Sequence, residues 1–106
     1  ERIKTAYAYN DLLKAAGIIA AGSDFPVEAI NPLYGFYAAV TRKDKNNLPK
    51  GGFQPENAIS RKDALKSMTI WAAYANFEEK EKGSLEKNKF IRYAYTILYL
   101  FMFSAF

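Results

Sequence analysis

The run Ala15-Ala16-Gly17-Ile18-Ile19-Ala20-Ala21-Gly22-Ser23-Asp24-Phe25-Pro26-Val27-Glu28 carries the strongest structural signal in the chain. Gly17 closes a helical pattern, four uniformly apolar residues follow, and Gly22-Ser23-Asp24 ends them abruptly. A run that is apolar on every side suits a strand buried on both faces, as in a parallel α/β sheet. In open sheets and barrels of that kind, ligands meet the carboxyl ends of the strands. Asp24 would then be a carboxylate at the mouth of a site, with Phe25, Pro26 and Val27 lining it. The alternative is that Asp24 bonds nearby backbone N–H groups, as aspartate often does in turns. Spacing alone favours that alternative.

Composition bounds the rest. The 106 residues are half apolar and a quarter charged, which is globular rather than disordered composition. They make one domain's worth of chain, short of the roughly 250 residues of a complete (β/α)8 barrel. The net charge of +4 comes from 15 basic and 11 acidic residues. These alternate, as in Glu78-Glu79-Lys80-Glu81-Lys82, and describe a solvated surface rather than a nucleic-acid face. There is no cysteine and no histidine. The first excludes disulfides and zinc-thiolate sites and is compatible with a cytoplasmic protein. The second removes the usual neutral ligand of catalytic zinc and the usual base near neutral pH.

Around the central run, residues 1–16 read as a helix with an uneven apolar stripe, capped by Gly17. Asn31-Pro32 is an N-cap with proline in the first turn, opening a helix to about Thr41 with Leu33, Phe36, Tyr37 and Val40 on its apolar face. Residues 42–58, rich in Lys, Asn, Gly and Pro, read as a flexible surface loop. Lys50-Gly51-Gly52 lacks the spacing of a phosphate cradle. Ser60-Arg61-Lys62-Asp63 is a variant capping box. It opens a helix over 61–77 with Ala64, Leu65, Met68, Ala72 and Ala75 on one face.

The motifs taken together resemble a known family. Gly22-Ser23-Asp24-Phe25-Pro26-Val27-Glu28 and Asn31-Pro32-Leu33-Tyr34-Gly35-Phe36-Tyr37-Ala38-Ala39-Val40-Thr41-Arg42 resemble the C-terminal part of an amidohydrolase. So do Ile59-Ser60-Arg61-Lys62-Asp63-Ala64-Leu65, Tyr74-Ala75-Asn76-Phe77-Glu78 and Lys82-Gly83-Ser84-Leu85-Glu86. The branch resembled holds the N-substituted formamide deformylases and other metal-dependent hydrolases. The resemblance implies that residues 1–89 are the last strand and flanking helices of a TIM-barrel hydrolase. Such a piece, α/β by descent, should be mostly helical on its own, with one short strand near residues 18–21. It implies that Asp24 ends the eighth barrel strand and either binds the active-site metal or takes a proton from the attacking water. A divalent metal, zinc or iron, belongs to the intact parent, whose reaction is hydrolysis of a non-peptide C–N bond in an amide or formamide. The histidines and other ligands of earlier strands have no counterpart here. The chain alone should therefore hold no metal tightly and should be inactive.

The resemblance stops near Lys89. Residues 90–106 are apolar and aromatic, with Arg92 their only charge, where the family continues into a β-strand. The 14 residues from Tyr93 to Phe106 are too few for a transmembrane helix, which needs about 20. A core helix and a frameshifted reading of the gene's end compete to explain them, and the abrupt loss of family pattern favours the frameshift. A segment cut from its barrel exposes apolar faces. The expected partners are accordingly a second copy of the chain or a companion polypeptide carrying the rest of the barrel. A non-catalytic, self-associating module is the competing reading, and membrane attachment through the tail ranks last.

Overall fold

The structure is a computed structural model describing residues 2–90. The aromatic tail from 91 onward, with the expectations about a core helix or frameshift, lies outside the described residues. Four α-helices form: α1 (Tyr9–Ala16), α2 (Pro32–Thr41), α3 (Arg61–Met68) and α4 (Ile70–Ala75). Short 3-10 turns precede α1 (Arg2–Thr5) and α3 (Pro55–Asn57). α3 packs on both α2 and α4, while α1 lies against the Pro55–Asn57 turn.

The expected strand at 18–21 is not formed, and among the described residues there is no strand at all. Residues 18–23 run as irregular chain, held by the Ala21 N–H donating to the Ser67 carbonyl at 3.0 Å. The reason is physical: a strand is defined by a hydrogen-bonded neighbour, and the apolar run has no second strand to pair with.

The helix expected over 1–16 is also interrupted. Tyr7 takes a positive φ of 56°, and the Tyr9 N–H turns back to the Tyr7 carbonyl at 2.8 Å. α1 therefore begins only at Tyr9, after Ala8, whose side chain cannot cap it. The helix's exposed third N–H, on Asp11, is met instead by the Asn57 side chain at 3.3 Å, and Asn57 is itself buried. Gly17 closes α1 in the left-handed conformation, its N–H bonding the Leu13 carbonyl at 2.8 Å, as its position implies.

α2 starts and stops where the sequence places it. The Asn31 side chain accepts from the Leu33 N–H at 3.0 Å, with Pro32 in the first turn. At α3, Ser60 accepts from the Asp63 N–H at 3.0 Å and its hydroxyl donates to the Asp63 carboxylate at 2.7 Å. That reciprocal pair is a short version of the capping box.

The single helix expected over 61–77 breaks at Thr69, whose backbone (φ −125°, ψ −97°) is not helical. The Thr69 hydroxyl donates back to the Leu65 carbonyl at 2.8 Å, offering the backbone an alternative to the helical ladder. The break rotates the stripe: Ala64 and Ser67 of α3 and Ala73 of α4 are buried, while Leu65 and Ala75, expected inward, are exposed. Residues 42–58 are tied back on themselves rather than trailing loosely. Phe53 N–H donates to the Arg42 carbonyl at 2.7 Å, and the Asp44 carboxylate accepts from Asn46 and Leu48 N–H groups at 2.8 and 2.9 Å.

Among the described residues the buried apolar set is only Ile59, Ala64 and Ala73. For a chain half apolar in composition that is a very thin core.

Candidate functional site

Asp24 sits at the first corner of a tight turn over residues 24–27. The turn is closed by the Val27 N–H donating to the Asp24 carbonyl at 2.8 Å. Its backbone is left-handed (φ 53°), a conformation aspartate tolerates better than most residues. The Phe25-Pro26 peptide bond is cis. The irregular leg 18–23 leads to this turn from Gly17, and its backbone bond to Ser67 fixes where the leg crosses α3.

The structure thus gathers Asp24, Phe25, Pro26 and Val27 on one turn, all exposed, Phe25 at 60% and Val27 at 77%. Only the turn's backbone is used in closing it. Among the described residues nothing donates to the Asp24 carboxylate, so the side chain does not serve as the backbone acceptor that turn aspartates commonly provide. Phe25 and Val27 face no wall built by the helices. They stand on the turn as exposed apolar groups, continued by Ile30, Leu33 and Tyr34, each about half exposed.

A divalent metal needs more than this. Catalytic zinc takes three protein ligands, commonly imidazole and carboxylate. The chain has neither histidine nor cysteine, and among the described residues no three His, Cys, Asp or Glu side chains gather. One exposed carboxylate does not fit a metal centre by itself.

A second constellation escaped the sequence reading. Arg42, placed there at the start of a loop, is only 7% exposed. It caps α2 with a left-handed backbone (φ 59°), its N–H bonding the Ala38 carbonyl at 2.8 Å. Its Nε donates to the Phe53 carbonyl at 2.9 Å, and its guanidinium carbon lies 5.4 Å from the Tyr9 ring centre and 5.7 Å from that of Phe53. The partners are 33 residues before it and 11 after it, so no local pattern announces the group.

Comparison with known proteins gives the turn its context. The amidohydrolase family matches residues 1–90, nearly the whole chain and all of its described part. The chain belongs to the amidohydrolase family. Enzymes of that family generally use divalent metals, and the match fits descent from a TIM-barrel parent. Among curated proteins, the chain is 31% identical over 85 residues to the putative amidohydrolase YtcJ of Bacillus subtilis, covering 80% of this chain and 16% of that protein. It is 39% identical over 89 residues to the protein LONG AFTER FAR-RED 3 of Arabidopsis thaliana, covering 82% of this chain and 15% of that one. The chain spans about a sixth of the length of these relatives. No solved structure matches it. No helix among the described residues is long and apolar enough to cross a membrane.

Proposed function

We propose that this amidohydrolase chain is the C-terminal share of a cytoplasmic barrel hydrolase of the formamide-deformylase branch, and that Asp24 is its contribution to catalysis. The parent reaction is hydrolysis of a non-peptide C–N bond. In it the Asp24 carboxylate accepts the proton of the attacking water and returns it to the leaving nitrogen, the standard role of a positioned carboxylate. The observation that carries this reading is the exposed Asp24 carboxylate, unengaged by its own turn. Phe25, Pro26 and Val27 beside it form the substrate wall once neighbouring segments are present. The metal expected of the parent is held by groups this chain does not carry, and the chain alone is inactive.

The test is a chimera in which residues 1–89 replace the aligned segment of YtcJ, assayed against a panel of amides and N-substituted formamides. Hydrolysis is expected in the chimera, with a loss of about 100-fold or more on Asp24→Asn, within the usual contribution of a general base. A folded, active chimera indifferent to Asp24→Asn would remove Asp24 from catalysis.

A second reading has its own observation. With only Ile59, Ala64 and Ala73 buried among the apolar residues described, and Phe25, Val27, Ile30, Leu33 and Tyr34 exposed, the chain presents a surface built to be covered. It would then act as a non-catalytic, self-associating module. Tight assembly without metal, and a chimera that folds but does not turn over, favour this alternative.

A further inference from the structure

Among the described residues, Arg42 is a buried cation without a counter-charge. Its Nη2 is fully shielded and donates to nothing, and among the described residues no carboxylate pairs with it. Its Nε bonds the Phe53 carbonyl rather than a carbonyl of the α2 C-terminus. The Tyr9 and Phe53 rings offer cation–π attraction, which offsets only part of the cost of taking a guanidinium out of water. Buried polar groups almost always have a partner, so an unpaired one marks a place where a partner belongs.

The chemistry of that partner follows from the surroundings. Nε is occupied by Phe53, which leaves the Nη end of the fork as the edge with donors to spare. A guanidinium with rings against it presents an edge rather than a face. A planar carboxylate matches that edge with two parallel hydrogen bonds, and being flat it needs less room beside the two rings than a tetrahedral phosphate. Tyr9 and Phe53 are each about 40% exposed, so the walls of the slot reach the surface. We infer that Arg42, Tyr9 and Phe53 form a binding slot for a planar carboxylate, separate from the Asp24 turn. This inference does not rest on the catalytic reading of Asp24.

The experiment uses the full chain, labelled with 15N, and follows the Arg42 Nε–H and Phe53 N–H resonances. Sodium benzoate is titrated against sodium phosphate and sodium chloride at matched ionic strength. Saturable shifts with benzoate are expected from the bidentate match, absent with chloride and about tenfold weaker with phosphate, whose tetrahedral shape needs more room beside the rings. Arg42→Lys should abolish the Phe53 N–H response, since an ammonium lacks the planar fork. Should Arg42→Lys fail to fold, Tyr9→Leu keeps the guanidinium and removes a wall, and the benzoate response should weaken selectively. A dilution series without additive separates the sources. Shifts at Arg42 that grow with protein concentration assign the carboxylate to a second copy of the chain, and their absence assigns it to a small molecule. Equal responses to all three salts, with no concentration dependence, would overturn the slot.

Discussion

The Ala21 N–H bonds the Ser67 carbonyl across 46 residues of sequence, and Ser67 is the largest fully buried side chain among the described residues. That contact is where the leg bearing Asp24 crosses α3, so the position of the candidate carboxylate depends on the room at Ser67. The Ser67 hydroxyl is spent on the Ala64 carbonyl at 2.7 Å within its own helix. Ser67→Ala should therefore cost little, about 1 kcal/mol or less, because the backbone joint survives. Ser67→Leu should cost about 1–3 kcal/mol by overpacking and should shift the Ala21 amide resonance as well. Urea unfolding and an amide spectrum of both variants check this. Equal stability of the two would show that the crossing is loose.

Two glycines separate conformation from crowding. Gly17 and Gly83 both have left-handed φ, 79° and 91°, but a Cβ on Gly17 meets nothing within 4 Å. On Gly83 it would lie 2.8 Å from the Ala73 Cβ and 3.0 Å from the Ile70 Cα. Gly17→Ala should cost about 1 kcal/mol, the left-handed penalty alone. Gly83→Ala should cost about 2 kcal/mol or more, since α4 must move away from the chain that passes it. Thermal unfolding of the pair measures the difference, and matched costs would mean that α4 yields freely.

Helix boundaries set by a side chain and its immediate neighbours were legible: the Asn31-Pro32 start, the Ser60–Asp63 cap and the Gly17 stop are all local chemistry. What depends on a distant partner was not. The run 18–21 has strand composition, yet strand formation needs a neighbour that sequence periodicity cannot supply. The true cap of α1 is Asn57, 46 residues from Asp11, and nothing near either residue signals the pairing. Arg42 was hidden for the same reason. At the candidate site the end of the apolar run at Gly22-Ser23-Asp24 was legible, while the turn over 24–27 and the exposure of Asp24 depend on packing that no short motif encodes.

Acid should loosen the segment after α4. Glu78 accepts hydrogen bonds from Lys82 and Asn76, which hold its carboxyl below the ordinary glutamate value; Glu86, engaged by Lys89 and Ser84, is lowered in the same way. A carboxyl lowered in the folded state contributes stability above its unfolded value and loses it as pH falls through the folded value. Both pairs lie at the surface, so the contribution should be small and should shrink further in high salt. Glu78→Gln should reduce the acid-dependent part of the stability while leaving the dependence above pH 6 unchanged. Urea midpoints from pH 7 to pH 3 test it, and an unaltered acid limb in the variant would rule Glu78 out as a contributor.

The exposed turn also predicts how the chain behaves in solution. Phe25 at 60% and Val27 at 77% exposure share one turn, and Ile30, Leu33 and Tyr34, next along the chain, are each about half exposed. Each large apolar side chain is worth roughly 1.5–3 kcal/mol when fully buried, and the three buried apolar residues of the described chain leave little other means of covering them. The expected outcome is self-association through this turn, with a weight-average mass that rises with concentration. Val27→Asp places a charge in the contact without touching α2, α3 or α4, and should shift the equilibrium toward monomer by about tenfold or more. Lys45→Gln, on the loop held by Asp44, lowers the net charge by the same single unit and serves as the control. Sedimentation equilibrium of the three proteins decides the matter. A wild-type chain that is monomeric throughout, or a control that dissociates as readily as Val27→Asp, would show that the Asp24 turn is not the surface through which copies meet.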